Sequence, residues 1–470
     1  MGRNHTPAPS DSTHSGHAVT VLNGAYRHET GAIKVGFFRY ALVLTATLAV
    51  AACDRGFILE GERFHLRAPF SDTAGVEPEN RAVPVSLPAP VAHSAWTHRL
   101  GTPNHRITHP ALGGAPQLAW SAQIGAGEDR RHRITAEPVA ANGRIYTLDS
   151  RATVTATSAN GATVWTRDLT PAGLRGDGAS GGGLALADGV LYVASAYGRL
   201  HALDAASGEV RWTHRFDAPA KGAPTVIGDR VFVVAADSSA WVLDTRDGKV
   251  DWQLPGTPTP ASITGGAAPA TAGELVLFPI PSGELIAARR DTGMEVWRRV
   301  IAGQRQGMAY AGVTDITGDP VVVGDTVYVG NQSGRVMALN RTNGSVRWTA
   351  DEAAYGPVWP VDTALFMMTD RNRLVRLDAA SGERVWAQEL PLYTQERERR
   401  RAQIFGHYGP VLAGGRLYVA SNDGELRSFD PISGAYLGSV SVPGGAAASP
   451  IVVDRTLYVV SANGQLHAFR

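Results

Sequence analysis

The chain has one cysteine, Cys53, and 14 histidines among its 470 residues, and any covalent or metal chemistry would start with them. A single cysteine excludes an internal disulfide. Six of the histidines (His5, His14, His17, His28, His65 and His93) precede the repetitive part of the sequence. His105 and His109 stand four apart, the spacing of a metal pair on a helix, but Pro103 and Pro110 flank them and oppose that helix. A solvated loop is the expectation there. His201 and His467 fall at the same place in two repeats and read as structural positions. The stretch GDGASGGG (176–183) has the glycine content of a phosphate loop, but no strand-to-helix setting surrounds it. It reads as a flexible connection. No catalytic constellation emerges, and neither a metal nor a cofactor is expected.

Cys53 has a different setting. Tyr40–Ala52 reads YALVLTATLAVAA, an apolar run preceded by Lys34 and Arg39 and ending in small residues, the layout of a secretory signal. Its 13 residues are too few to cross about 30 Å of hydrocarbon as a helix. The ending Val50-Ala51-Ala52-Cys53 resembles a bacterial lipobox, which implies a lipid-modified cysteine at the mature N-terminus. An ordinary signal peptide with a chance cysteine is the alternative. Residues 1–34 are polar and His-rich and read as a non-native or disordered extension, with translation starting at Val35. Residues 35–53 are then the signal and 54–93 a Pro-rich tether. Asp54 leaves the destination membrane open, and Phe57–Arg67 is denser than a linker and receives no role.

From about Ser94 the sequence repeats. GRLHALDAASGEVRWT (198–213) returns as GRVMALNRTNGSVRWT (334–349) and as NRLVRLDAASGERVWA (372–387). Each unit has a strand often opened by proline, a strand ending Leu-Tyr-Val or similar, one ending Leu-Asp, and one centred on tryptophan. The tryptophans are Trp120, Trp165, Trp212, Trp252, Trp297, Trp348 and Trp386, with Tyr436 in the same slot, at gaps of 45, 47, 40, 45, 51, 38 and 50. Four strands at such a period, without helical periodicity, predict a β-propeller. A buried tryptophan wedged between blades is worth roughly 4–6 kcal/mol as an upper bound. The last unit lacks its tryptophan strand and the first tryptophan lacks a unit of its own. The expected fold is therefore all-β, an eight-bladed propeller of four-stranded antiparallel blades over 94–470, the last blade completed by the N-terminal strand.

The crossings between blades differ in length. Trp348 to Pro357 is 9 residues, whereas Trp297 to Pro320 is 23 and Trp386 to Pro410 is 24. Extra length on a rigid frame is where binding is expected. The run QERERRRAQ (395–403) is basic and could meet an acidic partner or lipid headgroups, or simply be solvated. Overall, 44% apolar residues and a net charge of +1 argue against a nucleic-acid binder or a disordered chain. Lysine occurs only as Lys34, Lys221 and Lys249.

The unit Gly-x-Leu-x-Ala-Leu-Asp-x-x-(Ser/Thr)-Gly-x-x-x-Trp resembles the repeat of pyrroloquinoline-quinone-type propellers. With lipidation and eight blades, the chain from Cys53 to Arg470 is similar to the BamB family of lipoproteins of the outer-membrane β-barrel assembly machine. The resemblance implies a non-enzymatic periplasmic scaffold, anchored by lipid and monomeric within a hetero-complex of BamA and the other assembly subunits. It also implies no nucleic acid and no cofactor. In that family BamA contacts lie in two neighbouring crossings. One is Leu-x-Leu-Arg before Ala-Pro; here ASITGGAAP (261–269) keeps Ile263, with Ala261 and Thr264 in place of leucine and arginine. The other is Asp-x-Asp before Pro-Val-Val; here DITGDPVV supplies Asp315, with Thr317 at the second acid. The alternatives are a quinone-dependent enzyme, whose usual vicinal disulfide one cysteine cannot form, or another envelope partner-binding propeller.

Overall fold

The computed structural model describes residues 78–174, 178–260, 262–263, 265–301, 303, 305 and 312–470. The expected signal, Cys53 and most of the tether lie outside them. Eight antiparallel sheets follow one another along the chain. Counted from the innermost strand, blade 1 opens with Val139–Ala141, blade 2 with Gly182–Ala187, blade 3 with Thr225–Ile227 and blade 4 with Ala270–Ala272. Blade 5 opens with Ile316–Val323, blade 6 with Trp359–Val361, blade 7 with His407–Ala413 and blade 8 with Ile451–Val453. Leu118–Gln123 pairs antiparallel with Gln465–Phe469, so the N-terminal strand is the outer strand of blade 8 and closes the ring. Among the described residues no helix is long and apolar enough to cross a membrane.

Local sequence explains each blade. The second strand of blade 2, Val190–Ser195, is buried along its whole length because neighbouring blades cover both its faces. The outer strand Val210–Arg215 alternates, with Trp212 on the inward face. Between the last two strands, Asp204 Oδ1 accepts the amide N–H groups of Ala206 and Ser207 at 2.9 and 3.0 Å.

The tryptophans pack on the next blade. A Cβ on Gly161, Gly208, Gly248, Gly293, Gly344, Gly382 or Gly434 would lie 2.5–3.0 Å from a ring atom of Trp120, Trp165, Trp212, Trp252, Trp297, Trp348 or Trp386 respectively. Gly382 also has φ +77°, so only glycine suits both the turn and the ring above it. Several indole N–H groups donate to a carbonyl of that same turn, as Trp212 does to Thr245 at 2.8 Å. Trp297, Trp348 and Trp386 are buried, while the other four are half-buried, less than the sequence reading has it. Tyr436 is 54% exposed. Its neighbour is the seam of blade 8, where the chain end at Arg470 meets Gln117 by hydrogen bonds and no covalent glycine turn exists for a large ring to cover.

The central channel is filled by the chain itself. Residues 91–112 thread across it and touch every blade. His93 O accepts from Asp454 of blade 8, and Ala95–Trp96 pairs with Ala140 and Ala141 of blade 1. Thr97 O accepts from Leu186 of blade 2, and His98 Nε2 accepts from Val226 of blade 3 at 3.1 Å. Pro103 O and Asn104 O accept from Thr271 and Val322 of blades 4 and 5. Trp96 lies 6.5 Å from Trp359 of blade 6, and Pro110 O and His109 Nε2 accept from Gly414 and Gly415 of blade 7. His105 and His109 are 0% and 3% exposed, so the expected solvated loop is a buried hub. The reason is that inner-strand amides facing the axis need acceptors, and this segment supplies them.

Upstream of the hub, residues 78–88 lie in the segment that the sequence reading assigns to the tether, but they are fixed to the ring. Asn80 exchanges hydrogen bonds with Ala387, Arg81 N–H donates to Val385 O, and Ser86 N–H donates to Asp362. The guanidinium of Arg376, which is 1% exposed, donates to Val83 O and Pro84 O. Without this strap it would be a buried charge short of acceptors.

Two outcomes follow. Trp348→Ala is expected to cost about 3–5 kcal/mol, and Tyr436→Ala below about 1 kcal/mol, by denaturant unfolding; equal costs would contradict the seam. The second concerns acid. Burial lowers His98 to about 3, with His105 adding to it, and burial lowers His105 to about 4. Both values lie under the ~6.5 of an unfolded chain, which therefore binds more protons in that window. The hub's contribution is thus full above about pH 6.5 and is lost as pH falls toward 4. Melting temperature should fall over that interval, and His98→Gln should flatten the fall.

Candidate functional site

The upper face carries the crossings and the turns between second and third strands. Three successive crossings meet there through one carboxylate. Lys221, in the crossing from blade 2 to blade 3, places Nζ 3.0 and 2.9 Å from Asp315 Oδ1 and Oδ2. The amide N–H of Ile263, in the crossing from blade 3 to blade 4, donates to Asp315 Oδ2 at 2.5 Å. Asp315 itself ends the crossing from blade 4 to blade 5. The two residues singled out by resemblance are therefore in direct contact. Their roles differ, however: Asp315 is 2% exposed with both oxygens engaged, whereas Ile263 is half-buried and lines an open funnel. Burial lowers the Lys221 ammonium, with Asp315 pulling it back up. Ala261 and Thr264 lie outside the described residues.

Sequence reasoning missed Lys221. Its signal was rarity: a chain that otherwise uses arginine keeps a lysine where a slim ammonium must reach a carboxylate beneath Gly266, whose Cβ would lie 3.1 Å from the Lys221 side chain. A second staple holds the same sector. Arg305 binds Asp370 in a two-point contact and lies 3.6 Å from Glu352, tying the crossing from blade 4 to blade 5 across to blade 6.

The funnel has a volume of about 480 Å³ and opens on this face. Glu128 and Arg133, paired at 2.9 Å, form one wall. Tyr355, Met368, Ile404 and Phe405, from blade 6 and the crossings beside it, form the other. At the floor the hub's Arg99 donates to Asp319 Oδ2 at 2.7 Å and lies 3.4 Å from Glu137. Burial raises the Glu137 carboxyl, with Arg99 opposing. The floor is a closed ion cluster in which Asp319 Oδ1 also accepts Ala268 N–H at 2.6 Å.

The other residues considered for chemistry have structural partners. Ring nitrogens Nδ1 of His201 and His467 meet the hydroxyls of Thr213 and Ser121 at 2.9 and 2.7 Å, equivalent contacts in two blades. Gly178 to Gly182 formally spells Gly-x-Ser-x-Gly, but it leads into a strand, and the Ser180 hydroxyl accepts from Arg133 N–H and donates to Arg133 O. Among the described residues no group of three or more His, Cys, Asp or Glu is placed to hold a metal ion.

The longest crossing, from blade 6 to blade 7, folds as a hairpin. Tyr393 pairs with Ile404, Thr394 N–H donates to Gln403 O, and a short 3-10 turn covers Glu398–Arg400. Arg401 lies over the Tyr393 ring at 4.9 Å.

A double substitution tests the clip. Lys221→Met leaves Asp315 buried and unpaired and is expected to cost about 3–5 kcal/mol. Lys221→Met with Asp315→Leu should recover most of that loss in denaturant unfolding. Independent, additive costs would show that the two side chains are not coupled.

Comparison with known proteins bears on what this face does. Residues 150–388 and 394–470 match the family model described as outer membrane protein assembly factor BamB. The chain is similar to the protein of that name from Shewanella oneidensis, 26% identical over 369 residues, which cover 75% of this chain and 88% of the relative. It is likewise similar to the one from Yersinia pestis, at 24% identity, covering 76% and 89%. Among solved structures, BamB from Moraxella catarrhalis superposes with a TM-score of 0.63 at 20% identity, over 76% of this chain and all of that one. A quinohemoprotein alcohol dehydrogenase from Comamonas testosteroni gives 0.58 at 16%, over 80% of each chain. Likeness at that identity is one of fold alone.

Proposed function

The chain belongs to the family of outer membrane protein assembly factor BamB, and from that premise we propose that it is a non-enzymatic scaffold of outer-membrane β-barrel assembly that docks BamA through the crossings of blades 2 to 5. The observation that carries this reading is the contact between Ile263 and Asp315. Two stretches distant in sequence, each aligned by resemblance with a BamA-contacting stretch, are one built feature on the open face. In this reading Ile263 touches the partner. Asp315 is a positioning residue that holds the Ile263 backbone in place, with Lys221 neutralising it.

The rest of the reading concerns placement. Cys53 is acylated, and the propeller sits on the periplasmic side, tethered to the outer membrane. It works as one copy within a complex of BamA and the other assembly subunits. An apolar, half-buried side chain beside a funnel suits docking of a preformed surface, since little ordering is required on binding.

Capture of BamA from detergent-solubilised envelopes tests this. Ile263→Asp is expected to lower capture at least tenfold at unchanged melting temperature. Asp315→Asn should lower both capture and stability. Wild-type capture by Ile263→Asp would overturn the docking site.

A further inference from the structure

We propose that the hairpin between Leu392 and Phe405 is a second membrane contact, which binds the phosphate-bearing headgroups of an anionic lipid surface beside the point where the N-terminal strap leaves the propeller. The proposal rests in part on reading Cys53 as a lipid anchor.

Charge is the first ground. Arg397, Arg399, Arg400 and Arg401 stand against Glu396 and Glu398, and all six are exposed. Some other arginines of this face are tied down: Arg133 pairs with Glu128, and Arg305 with Asp370. Among the described residues none of the four hairpin guanidinium groups forms an ion pair; Arg401 bonds only the Glu396 carbonyl and the Tyr393 ring. Their charge is left for an outside partner. At the base of the hairpin Tyr393 and Ile404 are 39% and 44% exposed, an aromatic and an aliphatic side chain suited to the headgroup boundary.

Position is the second ground, and it favours lipid over an acidic protein. Pro78 O accepts from Arg384, and Asn80 bonds Ala387. The strap is therefore held on the strand Arg384–Glu389, which runs directly into the hairpin. Cys53 is 25 residues upstream of Pro78, which bounds the chain between them at about 80–90 Å fully extended. An acyl group and the hairpin can thus reach one surface together. A lipid anchor on the same chain raises the effective concentration of the basic cluster at the surface, so the hairpin adds a second contact there. A diffuse anionic surface also needs no fixed register, which matches long arginine side chains on an exposed hairpin.

The test uses the chain purified from envelopes, with vesicles of phosphatidylethanolamine and phosphatidylglycerol at 3:1 and vesicles of neutral phosphatidylcholine. The readout is the ratio of the two affinities by co-sedimentation, since the acyl group contributes to both. The ratio is expected to be at least tenfold in ~50 mM salt and to fall several-fold at ~300 mM. Replacing the four arginines by serine should bring it near one, with BamA capture and melting temperature unchanged. A ratio that survives the replacement would overturn the proposal, as would a variant that loses BamA capture while keeping the ratio, since the cluster would then serve a protein. Mass spectrometry of the same chain reports Cys53 acylation separately. An unacylated chain with the ratio intact would refute the anchor and leave the hairpin contact standing.

Discussion

The fold depends on one constraint: inner strands and their turns direct backbone donors at a common axis, in every blade but the sixth, and something must accept them. Here a single stretch, residues 91–112, does so for blade after blade. Because the same stretch continues into Leu118–Gln123, the chain that fills the axis also closes the ring at its rim. Inner hub and outer seam are therefore one covalent piece, with the strap at residues 78–88 fixing a third point between blades 6 and 7. Ring opening would have to break the blade 8 pairing and withdraw the hub together.

This frame determines what the upper face can be. A hub below leaves a blind funnel above, floored by Arg99 and its two carboxylates. Buried ion pairs, Lys221 with Asp315 and Arg305 with Asp370, tie described residues of these crossings to one another and to blade 6. Such pairs add little net stability when compared with apolar packing, but breaking one partner is costly, so they fix geometry well. A face of preset shape suits an assembly factor, whose contribution is to hold a partner rather than to transform it.

Much of this was legible in the sequence. Tryptophan spacing, proline-opened strands and the orphan strand at each end led to eight blades and to the closing strand, because a propeller repeats one local solution. What repeats cannot reveal is what departs from them. Arg376 stands where sister units have Ala202 and Ala338, and that departure marks the blade that receives the strap. Tyr436 replaces a tryptophan at the one seam without a glycine turn. The hub is not legible in the sequence because its acceptors are mostly backbone carbonyls of a proline-broken, non-periodic stretch, which looks like a loop in any sequence. Asp315 and Ile263 were found by resemblance, but their division of labour became visible only through burial.

In the proposed function a preset frame presents its crossings to a partner and is not itself remodelled. Hydrogen exchange of the full chain, alone and with purified BamA, tests it most directly. Added protection should be confined to the crossings of blades 2 to 5, while amides donated to the hub, such as Leu186, Thr271 and Val322, keep their slow rates unchanged. Protection on the lower face, or a change of rate at the hub amides on binding, would contradict it.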